Sequence, residues 1–349
     1  MGGKKVRSDF IRRPVQRALD WAGSPRADRL RHSAQKRARS WTWKLIRAVF
    51  ILGFCFVILY PVLIMISKSF MHQADVYDNT VIWIPRHFTL QNLTFAWEGM
   101  DYLRSFLNSL LLTTLVTLLQ TAACMVAGYG FARFEFPLKK LLFVFVVFTI
   151  IIPPQQLMIP LYLHFKSFDF LGLYQMITGL TAPNLLDSYA PFLLLSATCM
   201  GMRNGLFVFI FRQAFRSMPK ETEESALVDG AGAYRTFFSI MMPNAMAVTA
   251  TIVLFSFVWQ WNDTYYSGLF LSDLKTVTKA FQAFNGYISS GRLYGDLASF
   301  STLYDFTDKN ILLLMRNAGI LLVMAPLLLT YLFTQRYFVE SIERTGLVG

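Results

Sequence analysis

This sequence predicts an all-α protein that crosses a membrane six times, with both termini on the cytoplasmic side, and three observations carry that prediction. Of its 349 residues, 54% are hydrophobic and 15% are charged, against roughly 25% charged in an ordinary soluble protein; mean hydropathy is +0.42. Uncharged stretches recur that are long enough for the helix of about 20 residues that spans a hydrocarbon core. The basic residues are distributed unevenly between those stretches, which is the signal that sets orientation.

Residues 1–47 read as a basic cytoplasmic arm, holding 14 of the 33 Lys/Arg but only three of the 21 acids. The arm, with Arg12-Arg13 and Lys36-Arg37-Ala38-Arg39, carries nearly all of the net charge of +12. It suits an anchor beside acidic lipid headgroups; a nucleic-acid role is disfavoured because such runs are usually just solvated. Residues 48–336 form the membrane domain and 337–349 a cytoplasmic tail. Ala48 to Ser67 supplies the first span, Ser105 to Ala132 the second and Leu141 to Leu163 the third. Between Phe170 and Phe211, Asp187 and Arg203 interrupt the apolar run and Pro183 and Pro191 bend it. That region predicts one crossing ending near Arg212, preceded by a broken or re-entrant piece. Arg203 either pairs with Asp187 or snorkels outward. Thr236 to Asn262 contains the fifth span and Asn317 to Gln335 most of the sixth. With this parity the inner segments hold 23 Lys/Arg and the outer segments nine, a positive-inside distribution.

Catalytic signatures are missing. The chain has no Gly-x-x-x-x-Gly-Lys-Ser/Thr loop and no Gly-x-Ser-x-Gly elbow, and its histidines (His32, His72, His87, His164) are not at metal-ligand spacing. Cys55, Cys124 and Cys199 lie inside apolar runs and read as small core residues. Neither an enzyme nor a metal site is expected.

The informative segment is the inner loop 217–243. Pro219 favours a helical first turn, and Glu221, Glu223 and Glu224 complement the positive end of that helix. Ala226, Leu227 and Val228 make it partly apolar, and Asp229-Gly230 ends it. A second short helix, Ala233 to Ile240, leads through Pro243 into the fifth span. The pattern predicts a projecting helix–turn–helix with acidic and apolar groups exposed, either a solvated loop or a plug for another protein.

Glu224-Ser225-Ala226, then Gly230, Ile240 and Met242-Pro243, resembles the EAA loop of bacterial binding-protein-dependent ABC importer permeases, with Ser225 and Met242 as the departures. Ala127-Gly128-Tyr129-Gly130-Phe131-Ala132-Arg133, Pro154-Gln155 with Pro160-Leu161-Tyr162, Trp261-Asn262-Asp263 and Gln335 to Val339 resemble the carbohydrate branch of that family, to which the smaller maltose permease belongs. The tail Thr345 to Gly349 departs from the branch.

The resemblance implies an ABC type I importer permease fold that moves a sugar or oligosaccharide, with Glu224, Ser225, Ala226, Asp229, Gly230, Ile240 and Pro243 coupling it to an ATPase. Expected partners are a second, homologous permease in a heterodimer, two ATP-binding subunits, an extracytoplasmic solute-binding protein, the sugar and membrane lipid, but no nucleic acid. No cofactor is expected on this chain; ATP and Mg belong to the ATPase. The location implied is the bacterial cytoplasmic membrane. Aromatic faces stack on sugars and amides or carboxylates bind hydroxyls, so Gln155, Gln156, Trp259, Trp261, Asn262 and Asp263 are candidates for the solute path, with an interfacial aromatic belt as the competing reading of Trp259. A permease for a non-sugar solute is the alternative. A secondary transporter is disfavoured because no inverted repeat is visible.

Overall fold

The computed structural model describes residues 25–169, 173–290 and 306–346. Among them the only bridge between extended segments is Met71 with Phe88; the rest is helix and loop. The chain divides into two units, Met1–Ile64 and Met65–Gly349. Helix α1, Pro25–Ser69, begins well before the first expected span, and its stretch Ser40–Ser69 is apolar and long enough to cross a bilayer. The change at residue 47 is therefore one of composition, not the start of an element. Arg12 and Arg13 lie outside the described residues.

In the second unit, α2 (Gln91–Gly99) leads into α3, Tyr102–Arg133, which is the long unbroken second span. At about 1.5 Å per residue it exceeds the hydrocarbon thickness. The expected third span is not one straight helix. It consists of α4, Lys139–Ile151, a tight turn at Pro154–Leu157 and α5, Met158–Lys166, with a bend of 104°. Pro153 and Pro154 explain the break: a residue before proline is pushed out of the helical region, and Ile152 is extended at ψ 122°.

The interrupted region is a pair of half-helices, α6 (Ala190–Ala197) and α7 (Asn204–Ser217). Both pack on α3. Phe192 and Leu195 cluster with Leu112 and Val116, and Phe207 to Phe215 with Cys124 to Tyr129. They follow α3 in the same direction over most of its length. After residue 217 the chain reaches α10 (Met246–Trp261), which lies in the expected fifth span and meets the helical stretch before it at 76°. Short α11 (Tyr265–Phe270) and amphipathic α12 (Val277–Ser290) follow, and α13, Lys309–Gly346, contains the last span, Lys309–Gln335. Among the described residues, three helices alone are long and apolar enough to cross a membrane, and five spans result if each bent pair is one.

Helices in lipid need more than apolar contact to associate, because the surrounding tails are equally apolar. Here a buried polar thread supplies specificity. Gln120 on α3 donates to the Met202 carbonyl at 2.6 Å and to Asn204, and Ser256 on α10 donates to Gln120 Oε1 at 2.6 Å. Close approach is the second device: a Cβ on Gly128 would lie 2.5 Å from Cβ of Phe211, so α3 and α7 touch backbone to side chain there. Cys124 is buried at the same seam, its thiol 3.6 Å from the Asn204 carbonyl; Cys199 is half-buried and Cys55 exposed on α1, so the core reading holds for Cys124 but not for Cys55.

Candidate functional site

At the end of the second unit where α3 and α7 terminate stands helix α8, Glu221–Val228. Its first turn holds three acids, Glu221, Glu223 and Glu224, at the positive end of the helix dipole. Its end is a Schellman turn: Gly230 N–H reaches the Leu227 carbonyl at 3.1 Å and Ala231 N–H the Ala226 carbonyl at 2.9 Å. Gly230 has φ +80°, a conformation that costs other residues energy. The chain then re-enters helix at α9 (Ala233–Thr236), widens into a π turn at Phe237–Met241 and continues as Met242–Asn244. Pro243 lacks the N–H that would complete an ordinary turn, and the wider turn precedes it directly. The expected Ala233 to Ile240 helix is thus two turns of different gauge.

Glu224, Ser225, Asp229 and Gly230 are exposed, Ile240 is half-buried, Pro243 is exposed and Ala226 is buried. Beside Glu224 the surface is apolar: Leu227 is exposed, Val228 87% exposed and Tyr234 85% exposed. The acids, however, do not share one fate. Glu223 turns inward, its carboxylate accepting from the Tyr129 hydroxyl at 2.5 Å and pairing with Arg133 Nε at 3.1 Å. Arg133 also donates to the Met218 carbonyl at 3.0 Å. Tyr129 packs against Phe215 and Phe237, so one side chain joins α3, α7 and the π turn. This tie was not expected from the sequence, although Tyr129 and Arg133, four residues apart on one helix face, lie within the quoted α3 motif.

The solute-path candidates separate on inspection. Gln155 and Gln156 are exposed in the turn between α4 and α5. Trp259 is half-buried, stacked on Phe207 and Phe255 with the Arg203 guanidinium 5.3 Å from its ring, and Asn262 is exposed just past α10. Two candidates are buried. Trp261 is 2% exposed, packed on Phe106 and Phe257 with its indole N–H on the Val323 carbonyl at 3.2 Å, which makes it core. Asp263 is 3% exposed and accepts from the backbone N–H groups of Tyr265, Tyr266 and Ser267 and from the Ser267 hydroxyl, which leaves it no hydrogen-bonding capacity to spare for a sugar.

Nor does Arg203 pair with Asp187. Asp187 Oδ1 takes three consecutive N–H groups, from Ser272, Asp273 and Leu274 at 2.8–3.1 Å. Those donors, Leu274 first, hold its carboxyl below the usual aspartate range against the opposing effect of burial. No cluster of His, Cys, Asp or Glu fit to hold a metal occurs among the described residues.

Three helices long and apolar enough to cross a bilayer, with two further apolar pairs bent at a break, are the mark of a multi-pass membrane protein. The chain belongs to the family described as "binding-protein-dependent transport system inner membrane component", whose profile matches residues 121–344. It is similar to the "Probable ABC transporter permease protein YurM" of Bacillus subtilis (strain 168), 27% identical over 86% of this chain and 87% of that one. It is also similar to the "Melibiose/raffinose/stachyose import permease protein MelC" of the same organism, 28% identical over 83% of this chain and 91% of that one, and to the "sn-glycerol-3-phosphate transport system permease protein UgpE" of Escherichia coli O1:K1 / APEC, 26% identical over 87% and 97%. Among solved structures, a chain of a bacterial ABC transporter involved in the import of the acidic polysaccharide alginate shares the fold, with a TM-score of 0.67 at 19% identity over 86% of this chain and 98% of that one.

Proposed function

We propose that this chain moves a sugar or oligosaccharide across the cytoplasmic membrane of a bacterium, driven by ATP hydrolysis on a separate subunit that docks on the loop 217–243. The observation that carries the reading is the combination at α8: Glu224 open beside bare Leu227, Val228 and Tyr234, on a scaffold that Glu223 fixes from behind. An apolar surface with a charge at its edge suits a protein interface, where charge complementarity selects and steers the partner. Glu224, Ser225, Ala226, Asp229, Gly230, Ile240 and Pro243 shape that interface. Its remaining partners are a second permease subunit and a solute-binding protein on the outer side. The relatives' names favour a carbohydrate or polyol solute.

In this reading α6 and α7 together make the fourth of six crossings, and both termini face the cytoplasm. Gln155, Gln156, Trp259 and Asn262 remain on the solute path. The turn at Gln155 interrupts a crossing about 20 Å from its inner end, since α4 has 13 residues. Irregular backbone at such depth persists only where protein or a water-filled cavity covers it. ATP-driven closure of the ATPase dimer then rocks the helices between inward- and outward-facing states, with no covalent chemistry on the sugar.

Two measurements test it. Uptake into vesicles containing the whole transporter requires both ATP and the separate ATPase; uptake that persists without that subunit contradicts the proposal. For topology, a cysteine at Ser290 reacts with an impermeant thiol reagent on intact cells and one at Ser225 does not. The reverse pattern overturns the six-span orientation.

A further inference from the structure

Beside the docking loop the second unit contains a cavity of about 900 Å³. Its wall carries six cations, Arg133, Lys139, Lys140, Arg212, Arg216 and Lys220, and a single carboxylate, Glu135. Glu135 is occupied by Lys139 at 2.9 Å, and Arg133 by Glu223 at 3.1 Å. Among the described residues no carboxylate lies within ion-pair distance of Lys140, Arg212, Arg216 or Lys220. Arg212 is held in place by the Phe131 carbonyl at 3.4 Å and by the Phe143 ring, 3.9 Å from the guanidinium carbon. So many uncompensated cations at one concavity call for an anion.

The same cavity is also lined by apolar side chains, among them Phe136, Leu138 and Leu141, which are exposed. It opens where α3 ends, α4 begins and α7 ends, and α4 beyond Lys140 is uncharged to Ile151. Cations at the head of an apolar helix match an amphiphile better than a soluble anion. Basic pockets between spanning helices on the cytoplasmic side are suited to acidic headgroups. We infer that this cavity binds the phosphate headgroup of an anionic phospholipid, with an acyl chain along α4, next to the Arg133–Glu223 tie. The inner-side placement rests on the orientation proposed above; the binding itself does not require the docking assignment.

The test uses the full chain, purified in neutral detergent and examined by native mass spectrometry with added phosphatidylglycerol or phosphatidylcholine. One phosphatidylglycerol is expected to be retained at least tenfold more tightly than phosphatidylcholine. The triple variant Lys140→Gln/Arg216→Gln/Lys220→Gln changes only exposed side chains. Since each basic residue near an anionic surface is worth about fivefold, it is expected to lose that copy by tenfold or more while phosphatidylcholine is unchanged. The double variant Lys140→Gln/Lys220→Gln is expected to show a smaller loss in the same direction and stands in if the triple variant does not fold. The basic arm is identical in parent and variants, so lipid held there does not contribute to the difference. Inorganic phosphate at millimolar concentration is expected not to displace the lipid. Equal retention of the two lipids, or variants that keep phosphatidylglycerol like the parent, overturns the site. Displacement by phosphate overturns the lipid assignment in favour of a free-anion site.

Discussion

The two ends of the second unit treat their acids differently. At the expected outer end, both oxygens of buried Asp263 accept from its own turn, Tyr265 to Ser267, and Asp187 Oδ1 takes three consecutive N–H groups of Ser272 to Leu274. At the expected inner end Glu223 is tied to side chains of α3, Tyr129 and Arg133, while Glu224, the next residue, stays open. An acid whose hydrogen bonds are complete within its own chain is structural; one left open beside exposed apolar residues is available to another molecule. On that contrast the outer acids organise loops, and α8 is the part that the proposed function gives to a partner.

The contrast can be broken at several points. The largest effect is expected at Gly230. Gly230→Pro cannot adopt φ +80°, since the ring fixes φ near −65°, so the Schellman turn fails and α8 is misaimed. Uptake in reconstituted vesicles should fall at least a hundredfold on the order of a lost interface hot spot or more, while membrane insertion, followed by cell fractionation, survives. Glu223→Gln comes next. It retains the shape but removes the charge paired with Arg133, at a cost of about 1.5–3 kcal/mol of local stability. Its expected signature is ATP hydrolysis retained with transport reduced, read as the ratio of solute moved to ATP consumed; an unchanged ratio would show that the tie does not transmit movement. The smallest effect separates the outer acids from the solute path. Asp263→Ala should lower thermal stability by about 1–2 kcal/mol, as loss of a helix-capping carboxylate does, with the KM of uptake unchanged. Gln155→Ala should do the opposite.

These points also mark how far the sequence reaches. The positions of the spans, the helix of the docking loop and its stop at Gly230 follow from local signals, namely uncharged runs, first-turn acids and a glycine. The break beside Gln155 and Gln156 also has a local cause, two adjacent prolines, although Leu141 to Leu163 reads as one continuous span. Local signals do not reveal where a side chain points after folding. Trp261 and Asp263 looked like sugar ligands by residue type, yet their partners, Val323 and the backbone of Tyr265 to Ser267, are set by packing and by the turn after α10. Likewise three neighbouring glutamates gave no hint that one faces Arg133, 90 residues earlier in the chain. The two bent stretches, 139–166 and 233–261, fall between these cases: their prolines were visible, but the angles of 104° and 76° are properties of the assembled bundle.

The central claim, that α8 receives an ATPase through its open face, is tested most directly at Glu224. Glu224→Lys leaves Glu223, Gly230 and the solute path untouched, and it reverses the charge offered to a basic cleft, a change of order 1 kcal/mol or more even where partly exposed. The measurement is co-purification of the ATPase with the full transporter, alongside transport in vesicles made from the same preparation. The account predicts that ATPase association and uptake fall together, by about tenfold or more, while the permease remains in the membrane. An ATPase retained at the parental level with uptake at the parental rate would contradict it.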